Sequence, residues 1–387
     1  MAENYELKLE DQLLLNCSLT QLSGDNVKNI KQITAMDIDW NYLISMAYVH
    51  RLSPLLYWHL KKIAPNAIPS NFKGELQEHF HKNVRRNLGM FKELLEVLNV
   101  LQKQSITPIP YKGPVLAIMT YKNLGFRVFG DLDFYLPLED VSRTEDILIK
   151  EGYEPWMKLT HNQEKAFYKF QREYHFTNET NGITLEIKWK FLSTLVSIKD
   201  ELFTGEDEFL REVDLDQFKV KTISPEYLVL VLSIHNASHS FSSLYRFCDI
   251  SELIKSEENI NWLKLMEIAT ELGVKRVFMV NLYILRELFE IKLPENILGL
   301  VNADKDVEKI SKGIIRRLFT QKPVGILEKV AFHMRLREKR GDKLKTVLTM
   351  VFLPTPGVIE SVSLPWILEP LYYPLRVFQM LRNIINQ

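Results

Sequence analysis

Cysteine is nearly missing from the chain. Only Cys17 and Cys248 occur, far apart in 387 residues, so neither a disulfide framework nor a zinc-type cysteine spacing is present. Excess charge of either sign is missing too. With 49 basic and 49 acidic residues there is no global pull toward nucleic acid, which argues against a dedicated DNA or RNA binder and leaves only a local patch. No uninterrupted apolar run reaches the roughly 20 residues of a membrane helix. The opening MAENYELKLEDQLLLNC carries acids throughout, where a signal peptide has a basic start and a long apolar core. A cytoplasmic location is the expectation. Internal repeats and low-complexity tracts are also absent.

What is present is 46% hydrophobic residues, enough to bury sizeable cores, in a length that suggests two or three domains. Glycine and proline are sparse in residues 1–104, which read as helical, with Asp37 or Asp39 as the cap of WNYLISMAYVHRL. From Phe72 to Gln104, apolar residues recur at helical spacing, Leu76, Phe80, Val84, Leu88, Phe91, Leu94, Leu95, Leu98 and Leu101 among them. One long helix packed on a sheet is predicted. Residues 105–222 mix strands and helices, including a helix from Val141 to the stop at Gly152. Residues 223–387 turn helical again, opening on SPEYLVLVLSIHNASH with Ser224 as cap and a proline at the first position. The fold class is therefore α+β, a small mixed-sheet core flanked by N- and C-terminal helical regions.

The stretch YKGPVLAIMTYKNLGFRVFGDLDFYL, from Tyr111 to Leu136, carries the chemistry. Gly113 and Pro114 open an apolar run that reads as a helix, whose free N–H groups and positive dipole end suit phosphate beside Lys112 and Gly113. Downstream, GDLDFYL alternates. Asp131, Asp133 and Tyr135 share one strand face, while Leu132, Phe134 and Leu136 take the other. Two neighbouring carboxylates repel unless a cation lies between them, and magnesium is the obvious one. A second alternating segment, ITLEIKWKF, puts Ile183, Leu185, Ile187, Trp189 and Phe191 on an apolar face and leaves Glu186, Lys188 and Lys190 on the other. Glu186 is the candidate third ligand. The preceding REYHFTNE also reads as a strand, joined through the turn residues Thr180, Asn181 and Gly182.

Alternatives stand beside these readings. Arg127 reads equally as a phosphate contact or as a surface cation pairing Asp131 or Asp133, and Lys188 as a phosphate ligand, a solvated face or a partner of Glu186. His235 and His239 lie four apart on one predicted helix, as a metal pair would, but no zincin-type partner follows, so they read as cleft lining. The basic stretch AFHMRLREKRGDKLK precedes an apolar, proline-interrupted segment containing Trp366, Tyr372 and Tyr373. It reads as packing onto the rest of the protein, or as a weak contact with a membrane surface or a partner.

In the order Lys-Gly before a helix, an Arg, Asp-x-Asp on a strand and then an acidic strand, the chain resembles the DNA polymerase beta-type nucleotidyltransferase superfamily. It is most similar to the uncharacterised bacterial nucleotidyltransferases with a Lys-Gly motif, and more distantly to abortive-infection-type nucleotidyltransferase toxins, over a span from about Leu55 to about Ile297. The resemblance implies that Asp131 and Asp133 hold metal, that Lys112 and Gly113 hold phosphates, and that Arg127 lies close to them. An Asp near the position of Asp249 also occurs in the family. Two departures stand out: Glu186 and Lys188 replace an Asp followed two residues later by His, and Lys112-Gly113 replaces a Gly-Ser pair.

The expected activity is transfer of a nucleoside monophosphate from a nucleoside triphosphate to an acceptor that is a sugar, a metabolite, a peptide, a protein side chain or an RNA end. Two magnesium (or manganese) ions would support it, one held by Asp131, Asp133 and Glu186 at the acceptor and one by Asp131 and Asp133 at the triphosphate. The alternative is a non-catalytic nucleotide-binding or interaction module with a decayed site. Because the paired carboxylates repel, changing Asp131 and Asp133 to Asn is expected to abolish turnover while melting temperature stays unchanged or rises.

Overall fold

The long apolar stripe folds as one helix, α5 (Ser70–Lys103), and it buries Leu76, Met90, Leu94, Val97, Leu98 and Leu101. The computed structural model describes residues 6–190, 208–216, 218–257, 259–322 and 325–385. Before α5 come α1 (Leu9–Asn16), α2 (Gly24–Ile33), α3 (Trp40–Val49) and α4 (Ser53–Ile63). Of the two candidate caps it is Asp39 that starts α3, its carboxylate accepting the Tyr42 N–H at 3.0 Å.

A five-stranded sheet follows in the spatial order β1-β2-β5-β4-β3, with β1 (Ile109–Pro110), β2 (Asp131–Tyr135), β3 (Tyr153–Pro155), β4 (Glu173–Asn178) and β5 (Thr184–Lys188). Its central pair, β2 and β5, is parallel and the remaining pairs are antiparallel. Between strands lie α6 (Gly113–Leu116), continued by a π-helical turn over Ala117–Tyr121, then α7 (Leu138–Lys150) and α8 (His161–Phe170). Gly152 stops α7 in a left-handed conformation, φ +86°. A separate hairpin, β6 (Leu210–Leu215) and β7 (Phe218–Ile223), joins the sheet edge where the Thr222 hydroxyl donates to the Pro110 carbonyl at 2.6 Å. The period-two reading of β2 and β5 matches the burial. Leu132, Phe134, Leu185 and Ile187 lie in the core behind the sheet with Tyr174 and Phe176 of β4. Phe191, expected on the same apolar face, lies outside the described residues.

The helices after the sheet are α9 (Pro225–Ser238), α10 (Leu244–Ser256), α11 (Trp262–Glu271), α12 (Lys275–Phe289), α13 (Glu295–Ala303) and α14 (Lys305–Thr320). They share one core with α1 to α4, so the two helical regions meet on the same side of the molecule. Ser224 does not cap α9 as the sequence suggested. Its hydroxyl is buried without a partner, and the start signals are Pro225 and the first-turn acid Glu226.

Further on come α15 (Ile326–Arg335), α16 (Arg340–Phe352), α17 (Pro356–Ser361), a 3-10 turn over Trp366–Leu371 and α18 (Tyr372–Ile385). Val358, Ile359 and Tyr372 are buried in the sheet-side core, whereas Trp366 is 78% exposed and Tyr373 40%. Of the aromatics expected at a surface contact, Tyr372 is thus an internal packing residue. Among the described residues no helix is long and apolar enough to cross a membrane.

The way α5 holds the loop into β2 matters most for the site. Leu88, read as part of the apolar stripe, faces solvent, while Asn83 and Asn87 point inward. The Asn87 amide donates to the carbonyls of Leu124 (2.6 Å) and Arg127 (2.8 Å), and Asn83 donates to that of Gly125 (2.9 Å). Gly125 is needed there because a Cβ would stand 2.7 Å from the Val84 methyl. Removing the Asn87 amide takes a donor from both carbonyls and leaves that of Arg127 with only the 3.3 Å bond from Asn83, so Asn87→Ala is expected to cost about 1–3 kcal/mol in urea unfolding. An unchanged unfolding midpoint would show that this clamp is not needed.

Candidate active site

The polar face of the sheet fronts a cavity of about 230 Å³, lined on its other sides by α9, α10 and Arg51 of the corner after α3. Tyr111, Lys112, Arg127, Asp131, Asp133, Glu186 and Lys188 all line it, as do His235 and His239. Register explains the convergence. In the parallel pairing Asp133 sits level with Glu186, and the antiparallel neighbour sets His175 level with Glu186 and Glu173 level with Lys188. Residues level with one another on adjacent strands point to the same face.

At the centre is Asp133, 3% exposed. Its Oδ1 lies 2.7 Å from the Lys112 ammonium and accepts from the Lys188 ammonium at 2.8 Å. Lys188 also donates to Glu186 Oε2 at 2.5 Å and stands 3.3 Å from Glu173 Oε2. Burial opposes the Asp133 charge, but Lys112 and then Lys188 more than offset it and hold the carboxyl well below its usual range. The Lys112 ammonium, which burial alone would discharge, is kept charged by Asp133. Glu186 shifts upward, first through burial and then through repulsion from Asp133.

Gly113 follows Lys112 with φ +54°, a left-handed conformation, and a Cβ there would meet the Asp131 carbonyl at 3.3 Å. Only glycine suits this approach of the turn to β2. Arg127 is neither a surface cation nor a partner of Asp131 or Asp133. It is 6% exposed and forms a two-pronged pair with Asp249 of α10, Nε to Oδ1 at 2.8 Å and Nη2 to Oδ2 at 2.9 Å. The Tyr121 hydroxyl donates to the same carboxylate at 2.8 Å, which ties the π-turn after Gly113 to α10. Arg127 is therefore enclosed, and Asp249 is its counter-ion.

Hard oxygen donors on Asp131, Asp133 and Glu186 are the kind that magnesium and manganese take. Both ammoniums lie against Oδ1 of Asp133. Asp131 makes no ion pair or side-chain hydrogen bond among the described residues. The three carboxylates are not gathered as closely as the sequence implied. Among the described residues, the cluster of three metal-type side chains with ligand atoms within 4.8 Å of one another is Glu173, His175 and Glu186. An ammonium stands between two of the three carboxylates, Lys188 Nζ lying 2.8 Å from Asp133 Oδ1 and 2.5 Å from Glu186 Oε2. Glu173 and His175 of REYHFTNE were not among the expected ligands, although the same alternation that singles out Glu186 puts them on its face. His175 Nε2 stands 3.8 Å from one oxygen of each glutamate; burial disfavours its charge, but Glu173 and Glu186 raise its pKa above the ordinary histidine value.

His235 and His239 stack edge to face with ring centroids 4.6 Å apart. Burial first, and the surrounding cations next, depress both, His239 to about 4, so they are neutral cavity lining at physiological pH. Neither joins a three-ligand cluster among the described residues.

A family model described as an uncharacterised nucleotidyltransferase matches residues 36–290, and the chain belongs to that family. The match takes in every residue of the cavity. No curated protein and no solved structure matches the chain. Membership brings a general nucleotidyl-transfer role with a nucleoside triphosphate as substrate, in a class of enzymes that generally uses divalent metals.

One expectation from repulsion is overturned by these contacts. Asp133→Asn would leave the buried Lys112 ammonium without its counter-ion and Lys188 with only Glu186 and Glu173, so it should destabilise by roughly 3–5 kcal/mol at neutral pH. Asp131→Asn should stay within about 0.5 kcal/mol. Since the folded Asp133 pKa is depressed, its contribution is complete above the unfolded value near 4 and is lost as pH falls through the folded one. Urea unfolding across pH should show the wild-type advantage over Asp133→Asn shrinking below about pH 4; an advantage independent of pH would contradict the ion-pair account.

Proposed function

We propose that the chain transfers a nucleoside monophosphate from a nucleoside triphosphate to an acceptor hydroxyl, amine or phosphate, with magnesium or manganese, in the cavity between the sheet and α9–α10. The observation that supports this reading is the meeting of Asp131, Asp133, Glu186, Lys112 and Lys188 around one opening, on strands whose apolar faces are buried behind it. In the reaction the acceptor oxygen or nitrogen bonds to the α-phosphorus, the bond to pyrophosphate breaks, and the acceptor gives up its proton. Asp131, Asp133 and Glu186 are the groups that would hold divalent ions, which supply charge neutralisation for the phosphates and a lowered pKa for the acceptor. Lys112 keeps Asp133 ionised and presents positive charge to the transferred phosphate. Arg127, locked by Asp249, props the Gly113 turn, its Nη1 lying 3.5 Å from the Gly113 carbonyl.

A second reading has its own support in Lys188. Its ammonium touches Asp133, Glu186 and Glu173 together, so it occupies the position among carboxylates that a cation takes. A protein in which it stays there would bind nucleotide without turnover. Pyrophosphate release separates the two. The purified protein should release pyrophosphate from a triphosphate when magnesium or manganese and a cell extract are supplied, and the labelled component of the extract gives the acceptor class. Asp131→Asn should cut that release by about 100-fold or more with its fold intact. Glu186→Gln should slow it while calorimetric nucleotide binding persists. Nucleotide binding with no release under any of these conditions would decide for the second reading.

A further inference from the structure

The helical wall of the cavity carries cations that the sheet does not neutralise. Arg51 lies just past the end of α3 and Arg246 in the first turn of α10, and both line the cavity with Asp131 and Glu186. Both guanidiniums stack on one ring, Tyr245, at 5.0 Å and 4.8 Å from its centroid. Two like charges are thereby held within about 10 Å of each other. Neither has a carboxylate partner among the described residues, and the nearby Asp249 is already engaged at both oxygens by Arg127. The Nε of Arg246 is buried without a hydrogen-bond partner, and a basic side chain in a first helical turn also faces the positive end of the dipole.

The backbone adds a second observation. Arg51 adopts φ +56°, the left-handed position that closes α3, where glycine is the residue without strain. The preceding His50 fixes this corner to α10, its Nδ1 accepting the Leu244 N–H at 3.2 Å while Nε2 donates to the Leu318 carbonyl at 3.1 Å. A strained arginine and a partly buried arginine that meets only the Ser242 hydroxyl, at 3.3 Å, and no carboxylate among the described residues converge on one ring, which costs the protein stability unless an anion meets them.

We infer that Arg51 and Arg246, braced on Tyr245, form the subsite that holds the oligophosphate of the nucleoside triphosphate, the part that leaves as pyrophosphate. This rests on the nucleotidyl-transfer reading, and it divides the labour in the cavity. Lys112 and Lys188 serve the reacting phosphate beside the carboxylates, and the two arginines take the distal phosphates through planar, multi-donor contacts that a lysine supplies less well.

Calorimetric titration with inorganic tripolyphosphate tests it. Arg51→Ala and Arg246→Ala should each weaken binding about tenfold or more, and the double variant further. Arg246→Lys should fall between wild type and Arg246→Ala. The melting temperature of each variant without ligand should equal or exceed that of wild type, because a repulsive cation has been removed. Alanine variants that bind tripolyphosphate as wild type does would overturn the subsite, as would variants whose unliganded melting temperature falls along with affinity. So would unchanged tripolyphosphate binding with a raised KM for the acceptor, which would make the arginines an acceptor site. Tripolyphosphate binding that depends on both arginines, in a protein that releases pyrophosphate from no triphosphate, would uphold the subsite and defeat the transfer reading alone.

Discussion

One buried carboxylate, Asp133, holds the site together. Two lysine ammoniums on a single oxygen join the Gly113 turn, β2 and β5, and through Lys188 they reach β4 as well. Isolated, each of these charges would be expelled from a site this dry. Together they fix the register of the sheet's polar face and leave Asp131, Glu173 and Glu186 arrayed around the opening. The same arrangement sets the chemical question, since the cations that keep Asp133 ionised also stand where a divalent ion would approach it.

The cavity is divided electrostatically. On the sheet side carboxylates and ammoniums nearly balance, a surface on which metal and reacting phosphate can meet. On the helical side Arg51 and Arg246 have no carboxylate partner among the described residues, and His235 and His239 are held neutral by burial and by that field. An elongated anion with a metal-bound end fits such a gradient, and the family's nucleoside triphosphate is one.

Local signals carried much of this fold. Strict alternation in GDLDFYL and ITLEIKWKF placed Leu132, Phe134, Leu185 and Ile187 behind the sheet and the charged residues in front. Asp39 and Gly152 marked helix ends where the chain in fact turns. What escaped depends on pairings distant in sequence. Arg127 and Asp249 are 122 residues apart, and nothing near either one announces the other. Lys188 could be read on the correct face, but its reach to Asp133 follows from the parallel register of β2 with β5, which no turn between them specifies. Asn83 and Asn87 look like interruptions of an apolar stripe until the loop they clamp is seen. Arg51 and Arg246 were indistinguishable from surface cations, because what sets them apart is the lack of a carboxylate partner among the described residues.

The most direct measurement is a crystal structure with manganese and a non-hydrolysable nucleoside triphosphate, read by anomalous scattering. The account predicts a manganese peak coordinated by Asp131 and Asp133, with the phosphate chain running from it toward Arg51 and Arg246. A peak only at Glu173, His175 and Glu186, or nucleotide bound with no metal and Lys188 still seated among the carboxylates, would contradict it.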